Sequence, residues 1–123
     1  MSPADPQRRW LIAAGILGAA AVILGAFGAH ALAERVPPAR LAVYETGVRY
    51  LLVHALAVLV AAVLPPRVAR WAAPCWIAGC VLFSGSLILL VLADARWLGM
   101  VAPVGGLLLI AGWLALAIAA WRR

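Results

Sequence analysis

Four long apolar runs, separated by short breaks, decide what this chain can become. They cover residues 10–33, 39–64, 71–93 and 97–121 and consist mostly of Ala, Val, Leu, Ile and Gly. Pro37-Pro38, Pro65-Pro66 and Asp94-Ala95-Arg96 mark the divisions. Each run reaches the roughly 20 apolar residues that a helix needs to cross a bilayer. In lipid such a run must be helical, because no water is there to satisfy open backbone groups. Composition argues against a soluble alternative: 67% of the 123 residues are hydrophobic and 11% are charged, against about 25% charged in soluble domains. The expectation is an all-α integral membrane four-helix bundle, antiparallel up-down-up-down, with N- and C-termini on the same, cytoplasmic side. Residues 1–9 are expected to form a polar N-terminal arm, 10–121 a single four-helix transmembrane domain, and 122–123 a basic C-terminus.

The net charge of +6 comes from ten arginines and no lysine. They gather at run ends, as membrane anchors and topology signals do. No basic stripe with interleaved aromatics is present, so nucleic acid is not an expected partner. Arg8, Arg9, Arg67, Arg70, Arg122 and Arg123 fall on one side; Arg35, Arg40, Arg49 and Arg96 fall on the other. Six arginines against four place both termini in the cytoplasm under the positive-inside rule. Trp10, Trp71 and Trp121 mark one interface and Trp97 the other. The first run could also be read as a signal peptide, with Ala29-His30-Ala31 as a cleavage site, but it exceeds the 7–15-residue signal core and reads as a retained helix. Cys75 and Cys80, five apart, lie on different faces of one helix and read as small packing residues.

Lipid gives apolar side chains no reason to leave it, so the helices must associate through close fit at small residues. Ala14, Gly18, Ala21, Gly25 and Gly28 line one face of the first helix. Gly47, His54 and Ala61 repeat every seven residues in the second, and Ala72, Gly79, Ser86 and Ala93 do so in the third. Gly105 and Gly112 repeat likewise in the fourth, and Gly85 and Gly106 are also assigned to packing. A seven-residue repeat describes left-handed packing near +20°.

Polar side chains concentrate in the half of the bundle away from the termini. The candidate cluster is His30, Glu45, Arg49, Tyr50, His54, Ser84 and Ser86. An ionisable residue inside a membrane is a functional candidate by default. His54 has two readings: a neutral histidine that pins the bundle, or a contact for a ligand, proton or substrate. Glu45 and Arg49, four apart, can pair on one helix face. Ser84-Gly85-Ser86 lacks the flanking glycines of a nucleophile elbow and reads as packing. No catalytic set, metal site or cofactor is expected.

These stretches also carry a resemblance. Gly25-Ala-Phe-Gly-Ala-His-Ala-Leu32, Glu45-Thr-Gly-Val-Arg-Tyr50 with His54-Ala-Leu56, Leu82-Phe-Ser-Gly-Ser-Leu87, and Pro103-Val-Gly-Gly106 with Gly112-Trp113 stand in order. Together they resemble the small membrane family called domain of unknown function 423 (transmembrane protein 256-like), over about residues 10–120. The chain departs from that pattern at Leu51, where glutamine is usual, and at Ile88, where an aromatic is common. The resemblance implies a four-helix membrane protein and no established activity.

The resulting expectation is a non-enzymatic, multi-pass protein of the cell (inner) membrane. It would serve as an accessory or assembly component packing through glycine-rich helix faces, with membrane lipid and a homo-oligomer or larger membrane complex as its partners. The alternative is a binding or transport module for a small molecule, lipid or ion, using the polar cluster. An open polar cavity would favour the alternative, and a filled core the first reading.

Overall fold

The computed structural model describes residues 5–122, which form helices joined by short connections. Helix α1 spans Pro6–His30. It starts inside the stretch expected to be an arm, because Asp5 caps it by accepting the Gln7 N–H at 3.0 Å and Pro6 occupies the first turn. Proline suits that position, where its missing N–H would have no helical partner. Residues 1–4 of the expected arm lie outside the described residues. A single 3₁₀ turn, Leu32–Glu34, leads to Pro37, and α2 spans Pro38–Val63. Leu64 turns extended, as a residue before proline prefers.

The third apolar rod begins at Pro66, earlier than the expected 71, again with proline in the first turn. It has three parts: α3 (Pro66–Gly79), one π turn (Cys80–Ser84) and α4 (Gly85–Leu92). Pro74 sits inside α3, where it cannot donate to the carbonyl one turn earlier. Asp94 follows α4 with φ of 50°. That left-handed conformation is easier for Asp than for most residues. A 3₁₀ turn, Arg96–Met100, precedes α5 (Ala102–Trp121). The last α-helix therefore starts later than the expected 97, with Pro103 in its first turn.

The four rods are each long and apolar enough to cross a membrane. A rod of 26 residues such as α2 is about 39 Å long. Large apolar side chains cover the outside; Ile16, Ile23 and Leu107 are each about two-thirds exposed. In water such a surface would drive association. In lipid it is the ordinary contact surface.

Packing is uneven. Helix α1 lies chiefly against α2, and α5 against α3 and the π turn. Helix α2 also touches α3, the π turn and α4, so it joins the two pairs. The main core is built of small side chains around Trp76, Val58 and Leu109. A smaller one holds Tyr44, Leu32, Ile88 and Val91. Leu51 and Ile88, the two departures from the family pattern, are both buried.

The glycines divide into three groups. A Cβ on Gly28 would come within 2.5 Å of the Tyr44 ring, and one on Gly112 within 2.5 Å of Trp76. On Gly79 it would meet Leu109, on Gly47 it would meet Leu87 and Ile88, and on Gly105 it would overlap the backbone of Leu82 and Phe83. Gly25 and Gly106 make ordinary contacts with Val48 and Phe83. Gly18 and Gly85, assigned to packing from their spacing, have nothing within 4 Å of the Cβ position, and neither does Gly15. Spacing placed Gly18 on a small-residue face, but the nearest helix does not close over it.

Candidate functional site

His54 lies in the middle of α2 and is buried. Its Nδ1 is 2.7 Å from the Tyr50 carbonyl one turn earlier. A carbonyl only accepts, so Nδ1 carries the proton and donates. The indole N–H of Trp113, in α5, donates to His54 Nε2 at 3.0 Å. The two bonds together require one tautomer of a neutral ring. A proton on Nε2 would set two N–H groups face to face. As packed, neither ring nitrogen is left for a metal, a proton or a substrate.

This bond anchors a run of rings across three rods. Phe83 lies 4.9 Å from Tyr50, and Tyr50 lies 6.1 Å from His54, centroid to centroid. His54 meets Trp113 edge-on at 5.9 Å, and Trp113 meets Trp76 at 4.7 Å. Aromatic pairs at such separations add about 0.5–1.5 kcal/mol each beyond simple burial. Helices α2 and α5 are thus joined by long side chains, while the glycines bring α5 directly onto the third rod.

The remaining candidates are not drawn into one site. Ser86 is buried and donates to the Leu82 carbonyl, as helical serines often do with the preceding turn. Ser84 is buried in the π turn, and its hydroxyl has no partner among the described residues. Tyr50, beside His54, is exposed, as are His30, Glu45 and Arg49. The ion pairs among the described residues involve Asp94 with Arg40 and Arg96, so Glu45 and Arg49 are not joined within 4 Å. Among the described residues, Ser84 lines a surface cavity of about 240 Å³, while His30, Glu45, Arg49, Tyr50 and His54 line neither it nor the cavities of about 250–490 Å³ elsewhere on the bundle. Among the described residues, no three His, Cys, Asp or Glu side chains are grouped to hold a metal. Cys75 and Cys80 are free thiols.

Several residues that organise this region were not among the candidates. Trp113 was visible as an indole far from either membrane interface, where its N–H needs a partner. Tyr44 is fully buried and donates to the Leu24 carbonyl, tying α2 to α1. Arg40 sits in the first turn of α2, where the helix dipole disfavours a cation. Its position is explained at the far end of the third rod: the guanidinium donates to the Val91 carbonyl at 2.9 Å and pairs with Asp94 at 3.2 Å. It thereby serves carbonyls that the end of a helix leaves without partners.

A family model described as a protein of unknown function, DUF423, matches residues 24–106. The chain is 40% identical over 105 residues to the UPF0382 membrane protein SAB0533 of Staphylococcus aureus (strain bovine RF122 / ET3-1), covering 83% of this chain and 86% of that protein. It is 39% identical to the UPF0382 membrane protein YwdK of Bacillus subtilis (strain 168), covering 90% and 94%. To the UPF0382 inner membrane protein YgdD of Escherichia coli (strain K12) it is 40% identical, covering 94% and 92%. No solved structure matches the chain.

Proposed function

Because the chain belongs to the family of unknown function DUF423, a family whose curated relatives are named as membrane proteins, we propose that it is a non-enzymatic component of the cell (inner) membrane that packs against a helix of another subunit. The observation that carries this reading is a groove between α1 and α2. It measures about 250 Å³ and is lined by Leu11, Ala14, Gly15, Gly18, Leu52 and Ala55, among others. No atom lies within 4 Å of the Cβ position of Gly15 or Gly18. Glycine costs a helix roughly 0.5–1 kcal/mol relative to alanine, and inside this chain nothing offsets that cost at these two positions. Exposed Gly15 and Ala19 stand four apart, the small-xxx-small spacing that lets a second helix approach closely. The closed bonding of the buried His54 weighs against a ligand or proton role there.

The antiparallel order and the cytoplasmic placement of both termini belong to this reading. The end of α1 meets the start of α2 at Gly28 and Tyr44, and Arg40 at the start of α2 reaches Val91 at the end of α4. Trp76 in α3 meets Gly112 in the second half of α5. The arginine count supports the side.

Photo-crosslinking from position 15 in native membranes tests the proposal. A discrete adduct is expected, either a second copy or a different membrane protein, and Gly18→Leu should abolish it while the purified bundle stays folded. A chain that yields no adduct and runs as a lone monomer from mild detergent would end this reading.

A further inference from the structure

The end of the bundle that carries the start of α1, the α2–α3 connection and the end of α5 has a different chemistry from the rest. A cleft of about 490 Å³ opens there between α3 and α5, lined by Arg67, Arg70, Trp71, Ala115, Ala119 and Arg122, among others. Beside it, Arg9, Trp10, Pro66, Arg70 and Pro74 line a second cleft of about 320 Å³. Arg70 belongs to both, so four arginines from three rods surround one region. Among the described residues, none of the four has a carboxylate within 4 Å; the ion pairs that exist involve Arg40, Asp94 and Arg96. Four like charges around adjoining clefts repel one another unless an anion enters.

The surroundings indicate the kind of anion. The guanidinium fork matches phosphate oxygens two at a time. Exposed Trp71 lies under the Arg70 guanidinium, 5.6 Å from ring centroid to Cζ, and Arg9 stands over Trp10 at 5.5 Å. Indoles favour the headgroup level of a bilayer. The inner wall of the larger cleft is apolar, with Ile118 beside Ala115 and Ala119. A soluble phosphate would use only the arginines. A phospholipid would use the arginines for its phosphate and the alanine-floored wall for the root of its acyl chains. We infer that this arginine-lined end is a binding site for an anionic phospholipid, its phosphate held by Arg67, Arg70 and Arg122 and its chains lying against α5. The site is separate from the α1–α2 groove, so either can fail without the other.

The experiment uses the full chain purified in mild detergent, with native mass spectrometry counting bound lipid. Phosphatidylglycerol should be retained at least tenfold more tightly than phosphatidylcholine, and inorganic phosphate at equal concentration should not displace it. Arg67→Gln, Arg70→Gln and Arg122→Gln should each lower retention on the order of fivefold, the effect of one arginine at an anionic surface. Arg35→Gln with Arg96→Gln, at the opposite end, should leave it unchanged. Equal retention of the two lipids overturns the inference, as does an equal loss in the opposite-end variant. Full displacement by inorganic phosphate would assign the arginines to a soluble anion and overturn the lipid. The wild-type comparison of lipids requires no variant to fold, and Arg122→Gln lies at the exposed end of α5, where folding is least at stake.

Discussion

Where α5 lies against the third rod, Gly79, Gly105 and Gly112 each meet a neighbour closer than a side chain could tolerate; along the first half of α1, Gly15 and Gly18 meet nothing. Both sets sit in apolar helices, and local sequence does not distinguish them. The difference teaches that a glycine in a membrane helix marks a place for close approach without saying whether the same chain supplies the approaching surface. At Gly105 it does, because the π turn brings the Leu82–Phe83 backbone against α5. At Gly15 and Gly18 it does not, and that open face is the basis of the proposed assembly role.

The sharpest way to break the comparison is Gly105→Ala. Its methyl group would overlap backbone, which cannot move aside as a flexible side chain can. A loss of about 3 kcal/mol or more is expected, at the upper end of overpacking costs, read by detergent-titrated unfolding of the purified protein. Gly106→Ala is the control, since its Cβ position is 3.7 Å from the Phe83 ring. Equal stability of the two would remove backbone contact as the cause.

Next in size is Trp113→Phe, which keeps a ring but deletes the donor to His54. Hydrogen bonds between membrane helices are worth about 0.6 kcal/mol on average and up to about 1.7, and a loss of about 1 kcal/mol is expected. A double-mutant cycle with His54→Leu should return a coupling of similar size. Zero coupling would mean that this bond does not help hold α5 to α2.

Arg40→Met should cost about 0.5–1 kcal/mol, because the ion pair with Asp94 is partly exposed and solvent weakens it. Arg96, 3.9 Å from the same carboxylate and mostly exposed, should be replaceable by Met with no measurable change in thermal stability. If both substitutions cost the same, the Val91 carbonyl is not what Arg40 serves.

The smallest effect has the opposite sign. Gly15→Ala in the purified chain should stabilise by about 0.5 kcal/mol, since the methyl group meets open space and glycine is a poor helix former. A destabilisation would show that the face is closed after all, and the contrast with Gly105 would disappear.

Much of the fold was legible because lipid leaves few choices. An apolar run of sufficient length must be a helix, and the prolines at 37–38 and 65–66 had to lie at its ends. The π turn at Cys80–Ser84 was not legible, because nothing in Cys-Val-Leu-Phe-Ser differs in kind from the rest of the rod. The candidate residues shared one half of the sequence pattern. The structure buries His54 and both serines and leaves His30, Glu45 and Arg49 outside, because membership of a half fixes depth but not direction. The partner of His54 lies 59 residues away, beyond the reach of any local spacing rule.

By itself, then, the sequence determined the solvent, the number of crossing rods, their approximate extent and the faces on which small residues fall. These depend on hydrophobicity and backbone geometry, which act locally. Tertiary structure decided what stands opposite each face: Trp113 against His54, Val91 and Asp94 against Arg40, backbone against Gly105, and open space against Gly15 and Gly18. Those outcomes depend on how rods far apart in the chain rotate against one another, and that rotation is set by the fit of all their surfaces together.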